Sequence, residues 1–173
     1  VGTPAIHADG AASDFNQRLT TALLGTTRTE ESTATSAAPW HIVITTGEPA
    51  RSSLDHFVIA GLTHLPVVLD EGLVHLGPLT LPTNSPCLSC YDAHRSRNEP
   101  RWHALTTQFG SSALECGVAP STQFRAISAL LERLERDGGE SLLGRRVSIG
   151  ADGSMRSMQF GFAAGCHCHL LAA

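Results

Sequence analysis

Two short cysteine pairs, Cys87-Leu-Ser-Cys90 and Cys166-His-Cys168, take four of the five cysteines in the chain. One or two intervening residues let a tight turn aim both thiols of a pair at one point. Two such pairs fill the four tetrahedral positions of a structural zinc, each thiolate about 2.3 Å from the ion. The segments Pro86 to Cys90 and Gly165 to His169 have the turn composition this needs. Because the pairs are far apart in sequence, one shared ion would staple the C-terminal segment to the middle of the chain.

Two other readings compete. Cys87 and Cys90 could form a redox C-x-x-C at a helix start, where the helix N-terminus activates the first thiol. All four cysteines could also be small buried apolar residues. The second pair favours the metal, since a dithiol oxidoreductase has no use for it. His167 or His169 could replace one thiolate. Asp92, His94 and Arg95 follow Cys90 within about a turn, close enough to hydrogen-bond around the ligands. Pairing of Asp92 with Arg95 on a helical surface is the plainer account. Cys116 stands alone and reads as a packed core residue.

No catalytic set accompanies the cysteines. The sequence has no G-x-S-x-G elbow, no G-x-G-x-x-G, no lysine for a P-loop and no distinct carboxylate couple. A four-ligand zinc has no open position from which to activate water. Among the nine histidines, His56, His64, His75, His94 and His103 lack partners at ligand spacing, His41 and His64 open strands, and most read as surface or interface residues.

The elements that must position the thiols follow from periodicity. Ser13 or Asp14 caps a helix through Leu24, and the polar stretch Thr26 to Ala38 reads as a flexible linker. A β-branched strand at His41 to Thr45, a helix capped by Ser52 or Ser53, and a strand at His64 to Leu69 form a strand–helix–strand unit. Asp70-Glu71-Gly72 turns into a returning strand at Leu73 to Leu81. Helices are expected at Tyr91 to Asn98, from Pro100 with Trp102, Leu105 and Phe109 on its apolar face, and from Pro120 to Gly138. In the last, Phe124, Ile127, Leu130, Leu131 and Leu134 repeat at helical steps. A hairpin of Arg146 to Gly150 and Met155 to Phe160 turns at Asp152-Gly153 and leads into the second cysteine pair.

The expected class is α/β: a partial Rossmann-like domain with a zinc-stapled C-terminal helical and hairpin region. Residues 1–38 form an N-terminal helix and linker, and residues 39–173 the α/β domain. The chain reads as the second half of a larger architecture, because few strands precede Cys87. With 173 residues, 42% hydrophobic and a net charge of −4, it describes a soluble globular protein rather than a nucleic-acid binder. No apolar run reaches the roughly 18 residues of a membrane span, and no signal peptide is visible, so a cytoplasmic setting is expected. Exposed strand edges suggest a homodimer or a hetero-complex.

The stretch His64 to Gln108 (HLPVVLDEGLVHLGPLTLPTNSPCLSCYDAHRSRNEPRWHALTTQ) resembles the ThiF-type, ubiquitin-activating-enzyme-like cyclodehydratase or leader-peptide-binding proteins of thiazole/oxazole-modified microcin (bacteriocin) biosynthesis. Gly77-Pro78, Pro86-Cys87-Leu88-Ser89-Cys90, Asp92 to Arg95 and Pro100-Arg101-Trp102 carry the resemblance, with Cys166-His167-Cys168-His169 matching the family's terminal segment. The resemblance implies an adenylating-enzyme-like fold in which the four cysteines hold a structural zinc. It also implies a protein that is not itself the cyclising catalyst. Such a protein presents a precursor peptide to a YcaO-type, ATP-dependent partner that makes azolines. The rival functions are an ATP-dependent adenylating enzyme and a thiol oxidoreductase using Cys87 and Cys90.

Overall fold

The computed structural model describes residues 4–26, 40–82, 84–108 and 117–168. Cys116, Phe109, His169 and nearly all of the expected linker lie outside them. The strands are β1 (Ala5–Ala8), β2 (His41–Thr46), β3 (His64–Asp70), β4 (Leu73–Leu76), β5 (Arg145–Ile149) and β6 (Met155–Gln159). The helices are α1 (Ser13–Thr26), α2 (Arg51–Ile59), α3 (Leu88–Ser96), α4 (Trp102–Gln108) and α5 (Pro120–Asp137).

Among the described residues the strands form one sheet in sequence order. β1, β2 and β3 run parallel, and β4, β5 and β6 are antiparallel. Period-two alternation splits this sheet into two cores. Ile42 and Ile44 of β2 face Phe15 and Leu19 of α1 and Ile127 and Leu130 of α5, with Leu65, Val67, Val74 and Leu76 in the same cluster. Val43 faces the other way, toward Leu54 and Phe57 of α2 and Leu88 and Tyr91 of α3. β3 is covered on both sides, which is why its sequence is a continuous apolar run rather than an alternation. The expected mixed α/β class is therefore observed.

Several local expectations change. β1 has no signal in the sequence: its four residues carry no alternation, and pairing with β2 makes them a strand. Asp9, not Ser13 or Asp14, provides the N-terminal cap, accepting from the Ala12 amide at 2.9 Å ahead of α1. Neither Ser52 nor Ser53 caps α2; the capping position is Ala50, and Ser53 Oγ instead donates to the Ala50 carbonyl at 2.6 Å. The returning strand ends at Leu76 rather than Leu81. Gly77 adopts φ 89° there, and a Cβ on it would lie 2.6 Å from the Arg145 carbonyl oxygen. Pairing resumes only as isolated bridges, His64 with Thr80 and Leu79 with Leu143.

α5 follows its reading closely, with Pro120 in the first turn and Gly138 in the left-handed region at its end. Phe124 departs from it: the ring is 53% exposed, with the Arg18 guanidinium 4.8 Å from its centre. No described helix is long and apolar enough to cross a membrane.

Candidate metal centre

The second core carries the four cysteines. Cys87 sits at the start of α3 with extended backbone and accepts the amides of Cys90 at 3.0 Å and Tyr91 at 3.2 Å. That turn brings both thiols of the first pair to one side. The other pair arrives on the segment after β6, which Phe160 and Ala163 bury against α3. The Ala163 amide points at Cys90 Sγ at 3.4 Å, and the Cys166 amide donates to the Ala163 carbonyl at 2.9 Å.

The four sulfurs all lie within 4.8 Å of one another. Across the pairs, Cys87 Sγ is 3.5 Å from Cys166 Sγ, and Cys90 Sγ is 3.6 Å from Cys168 Sγ. A tetrahedron with bonds of about 2.3 Å has edges of about 3.8 Å, so this spacing fits one ion among four thiolates. It does not describe two disulfides, whose sulfurs would be about 2.05 Å apart. Cys87, Cys90 and Cys168 are buried and Cys166 is half-buried.

Hydrogen bonding from Cys90 draws the Cys87 thiol down to about 5. The Cys90 proton is held correspondingly tightly by Cys87, which pushes that thiol up. Burial pushes the Cys168 thiol up to about 12. Cys87 thus gives up its proton more readily than Cys90 or Cys168. A metal among the four sulfurs would link the start of α3 to the C-terminal segment.

The other expected site residues disperse. His167 is exposed and is not among the converging ligands, and His94 lies 6.4 Å, ring to ring, from Phe160. Asp92 does not pair with Arg95. Its carboxylate, buried on the inner face of α3, accepts from Arg51 Nη2 at 2.6 Å and from Trp102 Nε1 at 2.7 Å. The Arg95 guanidinium stacks over Trp102 instead, 5.0 Å from the ring centre.

Asp92 opens a network that local sequence could not reveal. Arg51 also meets Glu48 Oε2 at 3.2 Å and the Pro49 carbonyl at 2.8 Å. Glu48 in turn bonds Arg146 of β5, whose guanidinium lies 4.7 Å from the Tyr91 ring centre. Burial pushes the Glu48 carboxyl up, but Arg146 and Arg51 outweigh it and hold the group below its ordinary range. The partners are separated by 41 and 98 residues, so no local spacing marks them in the sequence. Of the histidines expected at the surface or an interface, His64 is buried, its ring 3.0 Å from the Leu62 carbonyl, and His75 is half-buried and bonds Ser148 Oγ at 2.8 Å.

The turn after β1 is occupied by the chain itself. Asp9 Oδ1 takes the Ala12 amide, and Oδ2 accepts from the Thr46 amide at 2.7 Å and the Thr46 hydroxyl at 3.0 Å. Amides at such strand-to-helix turns are where nucleotide phosphates bind in doubly wound proteins, usually beside a reversal of strand order. Here a carboxylate holds the turn, and the described strands run in order without a reversal.

Among solved structures, the fold is similar to that of a heterocyclase in complex with substrate and cofactor, with TM-score 0.62 and 17% identity over 95% of this chain and 24% of that one. It is also similar to a chain of the E. coli microcin synthetase McbBCD complex, with TM-score 0.59 and 13% identity over 95% of this chain and 67% of that one. The chain thus spans about a quarter of the heterocyclase, and at these identities the likeness is one of fold. No family model and no curated protein matches the sequence.

Proposed function

We propose that the chain is a zinc-stapled ThiF-type component of an azoline-forming peptide-modification system. It presents a precursor peptide to a YcaO-type, ATP-dependent cyclodehydratase and does not perform the cyclisation itself. The observation that carries this reading is the convergence of four thiols in a buried core. It occurs within a fold shared with a heterocyclase and a microcin synthetase component. Cys87, Cys90, Cys166 and Cys168 are the ligands, and zinc is the ion their chemistry and spacing favour.

The two rivals fit less well. An adenylating enzyme needs free phosphate-binding amides, and Asp9 already takes the Ala12 amide at the β1–α1 turn and the Thr46 amide at the end of β2. A thiol oxidoreductase needs an accessible attacking thiol beside its partner. Here Cys87 is 5% exposed and faces Cys166 as well as Cys90.

The test combines metal analysis, alkylation and reconstitution. The purified chain should hold one tightly bound zinc, which protects four thiols from alkylation until a chelator is added. Added to a YcaO-type enzyme and its precursor peptide, it should raise azoline formation while consuming no ATP alone. ATP-dependent adenylation by the isolated chain, or four reactive thiols in the native protein, would refute the reading.

A further inference from the structure

Four imidazoles surround one phenyl ring on the α2 side of the sheet, where β2 and β3 begin. The Phe57 ring centre is 5.6 Å from that of His7, 5.0 Å from His41, 3.8 Å from His56 and 5.3 Å from His64. His7 on β1 and His41 on β2 come closest to each other. The parallel register pairs Ala5 with His41, which sets the two imidazoles diagonally on one face. His7 Nε2 then lies 3.0 Å from His41 Nδ1.

We propose that His7 and His41 form a second metal site, separate from the thiolates, which chelates an exchangeable divalent ion of the nickel, copper or zinc class. Two imidazole nitrogens bound about 2.0–2.1 Å from one ion are about 2.9 Å apart at a right angle and about 3.4 Å apart in a tetrahedron. The observed separation falls within that bite. Coordination takes the neutral tautomers with protons on His7 Nδ1 and on His41 Nε2, a buried nitrogen with no hydrogen-bond partner among the described residues, and leaves the two facing nitrogens as lone pairs. Burial, then the neighbouring His7 and His56 rings, hold His41 below its ordinary value.

The ligand type selects the ion, since imidazole suits borderline transition metals rather than magnesium or calcium. Exposure sets how the ion is held. His7 and His56 are exposed, so water completes the coordination and the ion exchanges, unlike one enclosed by four thiolates.

Nickel titration of the zinc-loaded full chain, followed by calorimetry, tests the proposal without depending on the thiolate reading, because thiol alkylation reports on that centre separately. The wild type should bind one nickel ion saturably below millimolar concentration. His7→Ala, at an exposed position, should weaken binding at least about tenfold, the loss that even outer partners of a ligand produce. His103→Ala, an exposed histidine on α4, should bind as the wild type does. Unchanged binding in His7→Ala, equal weakening in His103→Ala, or no saturable binding in the wild type overturns the proposal.

Discussion

Replacing Asp92 by asparagine probes how α3, and with it the first cysteine pair, is held in place. The carboxylate side chain is 4% exposed and accepts from Arg51 Nε and Nη2 at 2.5 and 2.6 Å and from Trp102 Nε1 at 2.7 Å. Asp92→Asn keeps the shape but removes the charge, and it turns an NH2 group toward a guanidinium whose side chain is 20% exposed. Breaking a buried ion pair from one side costs about 3–5 kcal/mol, because the remaining charge stays buried. Arg51 retains Glu48 and the Pro49 carbonyl, so the lower end, about 3 kcal/mol, is expected here. With a urea m-value of about 2 kcal/mol per molar, the unfolding midpoint of the zinc-loaded protein should fall by about 1.5 M. In a double-mutant cycle with Arg51→Met, about 2 kcal/mol or more of the loss should be shared. A midpoint shift below about 0.3 M, or additive losses in the cycle, would show that the pair does not anchor α3.

Other perturbations test neighbouring parts of the structure. Burial, then Arg146, lowers His75 from 6.5 to about 4. The unfolded chain therefore takes up this proton first, so the stability it confers is complete above pH 6.5 and is lost as pH falls toward 4. That loss amounts to about 3 kcal/mol, and His75→Gln should remove its share of the slope in urea midpoint against pH. The depressed Glu48 carboxyl adds a second loss at lower pH, below its ordinary value of 4.5, which Glu48→Gln should abolish at the expense of stability at neutral pH. Gly144→Ala places a Cβ 2.7 Å from the Phe160 carbonyl oxygen at φ 57°. It should destabilise by about 2 kcal/mol in equilibrium unfolding and loosen the segment leading to Cys166 and Cys168. Leu130→Ala, at a position with 0% exposure, should cost about 2–5 kcal/mol in the same measurement without changing zinc content, separating the first core from the metal centre.

The sequence alone determined what short-range chemistry can encode. Apolar and β-branched runs located β2 and β3, turn residues located the β5–β6 hairpin, and a helical repeat located α5, because each is a local signal. Paired spacing singled out Cys87, Cys90, Cys166 and Cys168, since a turn of one or two residues has few other uses for two thiols. Tertiary structure decided the rest. Ala5–Ala8 becomes a strand only because β2 offers it a partner, and β4 stops at Leu76 because the Arg145 carbonyl approaches Gly77. Asp92 turns from the neighbouring Arg95 to Arg51, and Glu48 reaches Arg146 across 98 residues of chain. Those pairings depend on which side chains two distant segments bury together, and burial is a property of the packed sheet and its helices. The thiols combine the two: their types and spacing within each pair are local, while the meeting of the two pairs exists only once the segment after β6 and α3 share a core.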